Sequence, residues 1–136
     1  MTNGAPTQPF PLEESFIGLI NLAIDPSEEV GYLAGRLPVT RAVMQPMGIV
    51  HGGIYASIAE TLASMGTANA VRRDGKICMG MSNNTSFLRP VSAGTIHAEA
   101  KALHRGRTTW VWDIEMRDDA GKLCSTSRVT MAVRDA

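Results

Sequence analysis

The sequence predicts an α+β fold in which one long central helix is wrapped by a curved antiparallel sheet. Three observations predict it. Residues 53–71 contain no Pro and a single charged side chain, Glu60, so they read as a helix apolar on most sides and therefore surrounded by protein. Residues 77–88, 95–104, 108–117 and 123–133 read as strands separated by turn-forming segments at 90–94, 105–106 and 118–121, the order of an antiparallel meander. Alternation is clearest in two of them. Ile96, Ala98, Ala100 and Ala102 oppose His97, Glu99, Lys101 and Leu103, and Trp110, Trp112, Ile114 and Met116 oppose Thr109, Val111, Asp113, Glu115 and Arg117.

Taken in order, residues 1–9 are polar and Pro-containing and carry no signal-peptide pattern, so a loose tail is expected over 1–10 and a single domain over 11–136. Residues 11–24 place Phe16, Ile17, Ile20 and Ile24 at helical spacing, with Pro11, Glu13 and Glu14 suited to a first turn. They predict a short amphipathic helix closed by Asp25 and Pro26. Residues 32–39 alternate loosely around Pro38 and predict a strand, and 40–48 predict a long loop before the central helix. Trp110 and Trp112 share one strand face and read as core. A long buried helix packed across a strongly curved antiparallel sheet is the arrangement known as the hotdog fold.

A chain of 136 residues can bury a core without disulfides. Its thirteen basic and thirteen acidic residues cancel, which leaves no electrostatic footprint for nucleic acid or an anionic membrane. Cys78 and Cys124 are isolated thiols, as expected of a reducing, cytoplasmic setting. The longest uncharged run, 42–59, contains Gln45, Pro46 and His51 and fails as a membrane span. His51, His97 and His104 lack ligand spacing, so no metal is expected, and the absence of GxSxG speaks against a Ser-His-Asp hydrolase.

Two features of the helical stretch point to chemistry. Glu60 is a carboxylate among Ile54, Ile58, Ala59, Leu62, Ala63 and Met65, where desolvation is costly unless the group is paired or held for reaction. His51-Gly52-Gly53 leaves backbone N–H groups uncovered at the positive end of the helix dipole, where they can hold an anion or polarise a carbonyl.

The ordered set Gln45, His51-Gly52-Gly53, Glu60 and Ser64, followed by the stretch 103–133, resembles the acyl-CoA thioesterases of the hotdog superfamily. Within them it is most similar to the branch of the phenylacetate-pathway and Arthrobacter-type 4-hydroxybenzoyl-CoA thioesterases, which also takes in the dihydroxynaphthoyl-CoA thioesterases. The similarity covers 11–133. It implies that the Gly52 N–H polarises the thioester carbonyl with help from Gln45, while His51 orients the loop or the thioester. It implies that Glu60 attacks the carbonyl or activates a water, which Ser64 helps to hold. Gly80, the segment Phe87, Leu88, Arg89 and Pro90, and the turn His104, Arg105, Gly106, Arg107, Thr108 and Thr109 are then expected to contact CoA, which is part of the substrate, so no further cofactor is expected. Phe87 departs from the His that the dihydroxynaphthoyl relatives carry there.

Spacing adds a further expectation. Glu60 lies eight helical steps beyond Gly52, roughly 12 Å at about 1.5 Å per residue, too far for both to touch one carbonyl. A homodimer with antiparallel long helices would bring Glu60 of one subunit opposite Gly52 of the other and create two shared sites. Further pairing into a homotetramer is expected. The alternatives are a non-catalytic acyl-CoA sensor or carrier, and a hotdog hydratase or dehydratase, for which the Asp-x-Asn-x-x-His pattern is missing.

Overall fold

The computed structural model describes residues 10–136, so the tail expected over 1–10 lies outside the described residues except for Phe10. A 3-10 turn, Leu12–Glu14, precedes a single helical turn, α1 (Phe16–Leu19), and the strands β1 (Ala23–Asp25) and β2 (Tyr32–Pro38). The long helix α2 (Gly52–Val71) is followed by β3 (Lys76–Phe87), β4 (Thr95–Arg105), β5 (Thr109–Arg117) and β6 (Leu123–Asp135). The six strands form one antiparallel sheet in the order β1-β2-β4-β5-β6-β3. The sheet packs around α2, which touches every strand from β2 to β6. This is the α+β hotdog arrangement that the alternation and the buried helix predict.

The amphipathic helix expected over 11–24 is not formed. Ser15 is extended at φ −88° and ψ 173°, which separates the 3-10 turn from α1. Asn21, at φ 58°, then ends α1 in the left-handed region, with the Leu22 N–H donating to the Ile17 carbonyl at 3.1 Å. Beyond it the chain turns extended and pairs with β2, Ala23 opposite Arg36 and Asp25 opposite Ala34. Burial of Ile20 and Leu22 together with this edge pairing outweighs a local helical preference that is worth only tenths of a kcal/mol per residue.

α2 is seated by its small residues. Ile58, Ala59, Leu62 and Ala63 are fully buried against Leu37, Ile96, Ile114, Met116 and Val129. The Trp112 indole lies over Gly66, where a Cβ would come within 2.5 Å of the ring, and its Nε1–H donates to Thr67 Oγ1 at 2.9 Å. Trp110 stacks beside it at 6.0 Å. Both indoles are therefore core. A larger residue at 66 would have to lift the helix off the sheet.

β3 is the edge strand beyond β6, and Ile77, Met79 and Met81 are 47%, 52% and 61% exposed along it. A bulge interrupts its ladder: Gly80 pairs with Met131 and Ser82 with Thr130, which leaves Met81 as the extra residue. The bulge reverses the strand's parity. Cys78 and Gly80 face α2 before it, and Asn83 and Phe87 do so after it.

Candidate active site

The mouth of α2 is a rigid backbone frame. The His51 and Val50 N–H groups donate to the Val43 and Val91 carbonyls, each at 2.9 Å, and fix the approach of the chain to the helix. His51 is the N-cap, its Nδ1 accepting the Gly53 N–H at 2.8 Å. With that amide taken, the Gly52 N–H has no hydrogen-bond partner among the described residues. The Phe87 ring covers Gly52 so closely that a Cβ there would meet it at 2.9 Å. Glycine at 52 thus leaves a bare amide at the positive end of a 20-residue helix.

A cavity of about 540 Å³ opens beside this amide, lined by Gln45, Val50, Gly52, Tyr55 and the segment from Phe87 to Pro90. Gln45 belongs to a tight turn closed by Gly48 at φ 80°, and its side-chain carbonyl accepts the Met47 N–H. The Leu88 and Arg89 amides donate to the Cys124 carbonyl at 2.8 and 3.1 Å, which holds the opposite wall. Tyr55 is 3% exposed, and its hydroxyl is buried without a hydrogen-bond partner among the described residues. Burial, with a smaller contribution from the Cys124 thiol, pushes the Tyr55 hydroxyl up to about 12. It therefore stays protonated.

Glu60 sits elsewhere. It lines a separate groove with Phe16, Ala56, Ser57, Thr61 and Asn83. Its expected enclosure by apolar side chains is not found in the single chain: Ile58, Ala59, Leu62 and Ala63 belong to the buried face, whereas Glu60 lies on a partly exposed one beside β3. The Asn83 amide donates to Oε2 at 3.1 Å and to the Ala56 carbonyl at 3.0 Å. Gly80 packs against Oε1, leaving no room for a side chain of its own. Ser64 follows one turn later, its carbonyl accepting the Cys78 thiol at 3.4 Å. Burial raises the Cys78 and Cys124 thiols above their ordinary value, which disfavours the thiolate and gives neither the character of a nucleophile.

The expected residues therefore fall into three groups within the chain. Gln45, His51, Gly52, Phe87, Leu88, Arg89 and Pro90 gather at the helix mouth, and Glu60 and Gly80 meet mid-helix. The turn His104, Arg105, Gly106, Arg107, Thr108 and Thr109 lies at the other end of α2. There Gly106 N–H donates to the Thr109 carbonyl, Thr108 accepts from Val133, and Arg105 reaches the Val30 carbonyl at 3.4 Å. One chain does not bring this turn to Gly52. Asn83 and Tyr55 are the site residues that the sequence reading missed.

Among the described residues, no group of His, Cys, Asp and Glu could hold a metal ion, and no helix is long and apolar enough to cross a membrane. Residues 47–125 match the Thioesterase superfamily. The chain is 40% identical over 108 residues to a 1,4-dihydroxy-2-naphthoyl-CoA hydrolase of Listeria monocytogenes, covering 79% of this chain and 87% of that one. It is 38% identical over 105 residues to the proofreading thioesterase EntH of Klebsiella pneumoniae, covering 77% and 76%. The crystal structure of a thioesterase from Haemophilus influenzae superposes with a TM-score of 0.84 at 32% identity, covering 94% of this chain and 93% of that one.

Proposed function

Because the chain belongs to the thioesterase superfamily, we propose that it hydrolyses an acyl-CoA thioester to the free acid and CoA, with Glu60 as the reacting carboxylate and the Gly52 amide as the oxyanion donor. The observation that carries this reading is the Gly52 N–H, without a partner among the described residues at the helix mouth and beside a cavity of acyl-group size. As the carbonyl becomes tetrahedral its oxygen gains negative charge, and a fixed amide at the positive helix end meets that charge without reorganising. Glu60 either takes a proton from a water whose oxygen bonds to the carbonyl carbon, or bonds to that carbon itself to give an anhydride that water then cleaves. In either case the C–S bond breaks and the CoA sulfur leaves as thiolate to be protonated.

The site is shared between two subunits. Glu60 and Gly52 of one chain open into separate cavities, and β3 offers a 12-residue free edge with Ile77, Met79 and Met81 exposed along it. Such an edge is a template for strand pairing. A two-fold pairing there with antiparallel helices would set Glu60 of one subunit against Gly52 of the other. It would also carry the turn with Arg105 and Arg107, at the far end of α2, towards the other subunit's Arg89, where guanidinium groups suit CoA phosphates. A second pairing would give the homotetramer. Phe87 makes the acyl cavity apolar and favours an aryl or other apolar acyl group. The free thiols Cys78 and Cys124 suit a reducing cytoplasm.

Thiol release from a panel of aromatic, short-chain and long-chain acyl-CoAs tests this reading, with Glu60→Ala as the control. Turnover of at least one class is expected, with Glu60→Ala slower by at least about a hundredfold. Binding without turnover would instead identify an acyl-CoA sensor.

A further inference from the structure

We infer that Asn83 is a positioning residue that fixes the Glu60 carboxylate, and that Thr85 and Ser127 brace its amide against β6. The inference rests on the role given to Glu60 above and extends it to a hydrogen-bonded chain crossing two strands.

The direction of every hydrogen bond in the chain follows from the groups that make it. Asn83 Nδ2 has two protons and two acceptors, the Ala56 carbonyl at 3.0 Å and Glu60 Oε2 at 3.1 Å. Its Oδ1 can only accept, so the 2.7 Å contact with Thr85 Oγ1 uses the threonine's one proton. Thr85 is then left to accept, and Ser127 Oγ, 2.7 Å away, must donate to it. Ser127 is only 4% exposed, so the far end of the chain is anchored in the core. Turning the amide over would set Oδ1 against a carbonyl and a carboxylate, two acceptor–acceptor contacts, and would reverse the hydrogen bonds through Thr85 and Ser127. One orientation is thereby selected.

The consequence reaches the reacting group. A Glu side chain on a partly exposed helix face has many rotamers, and fixing one costs entropy. Asn83 holds Oε2 to the helix's own frame through Ala56 O, while Oε1 packs against Gly80 of β3, so both oxygens of the carboxylate are placed. The Met81 bulge is what makes this possible, because it brings Asn83, rather than Ser82, onto the helix side of β3.

Steady-state kinetics on Asn83→Ala, Thr85→Val, Thr85→Ser, Glu60→Ala and the double variant Asn83→Ala/Glu60→Ala test it. Asn83→Ala should lower kcat at least about tenfold with KM changed less than about twofold, since a carboxylate free to wander loses near-attack geometry. Thr85→Val should lower kcat in the same way, and Thr85→Ser, which keeps the hydroxyl, should restore it. In the Glu60→Ala background, Asn83→Ala should cost nothing more. A slow Glu60→Ala enzyme beside an Asn83→Ala enzyme of wild-type kcat would overturn the inference and leave the role of Glu60 standing. Equal losses from Asn83→Ala in both backgrounds would reduce Asn83 to a structural residue. A Glu60→Ala enzyme at full speed would remove the underlying reading and the inference with it.

Discussion

Gly80 and Glu60 meet across β3 and α2 so closely that a Cβ on Gly80 would overlap Glu60 Oε1. A glycine in the middle of a strand ordinarily weakens it, and this one stands immediately before the Met81 bulge. The missing side chain makes room for the carboxylate on an edge strand that otherwise carries Ile77, Met79 and Met81.

Gly80→Ala should therefore impair catalysis while leaving the fold intact. The added methyl displaces the carboxylate, and a shift of about 1 Å at a reacting group can cost a hundredfold. We expect kcat at least about tenfold lower, with an unchanged circular-dichroism spectrum. Wild-type kcat would show that the carboxylate does not depend on this contact.

Tyr55→Phe should not destabilise the protein. The hydroxyl is buried without a partner among the described residues, so removing it relieves an uncompensated desolvation instead of breaking a hydrogen bond. The thermal midpoint should stay the same or rise. A fall of several degrees would reveal a partner that this reading does not contain.

The β5–β6 turn predicts a pH effect of definite sign. Asp119 accepts from the start of β4: its Oδ1 pairs with His97 Nε2 at 2.8 Å and its Oδ2 takes the Thr95 N–H at 3.2 Å. The His97 hydrogen bond, then the Thr95 amide, hold the carboxyl below its ordinary 3.8. A group whose folded-state value is depressed adds stability that is fully present above the unfolded value and lost as the pH falls through the folded one. Wild type should thus show a constant contribution down to about pH 4 and a loss below it. Asp119→Asn should lack that part of the acid limb, measured as urea midpoints at pH 7 and pH 3. Parallel curves for the two proteins would contradict the assignment.

Much of this architecture is legible in the sequence, for identifiable reasons. α2 and the four late strands lie within one or two residues of their expected bounds, because a long Pro-free apolar run and sustained alternation are strong signals. At the helix mouth the sequence reading leaves the amides of both glycines uncovered, whereas the structure leaves only that of Gly52 without a partner among the described residues, because the His51 side chain folds back to cap Gly53. The failures are tertiary. Residues 11–24 have helical spacing but give it up to an edge pairing with β2. Asn83 is invisible to a period-2 reading, since strict alternation from Cys78 and Gly80 points Ser82 and Asn84 at the helix. The partial exposure of Glu60 follows from the face of α2 that the chain's own sheet leaves uncovered.

The central claim is that Glu60 and Gly52 act on one thioester from different subunits, and mixed dimers test it most directly. Glu60→Ala subunits and Gly52→Pro subunits, the proline removing the N–H at a first helical position that tolerates it, carry different affinity tags and can be co-assembled and the heterodimers isolated by tandem purification. In a shared site, one of the two sites of each heterodimer has both groups intact, so activity should rise towards half that of wild type. Heterodimers no faster than their parents, or a monomer that turns over acyl-CoA at full speed, would contradict the account.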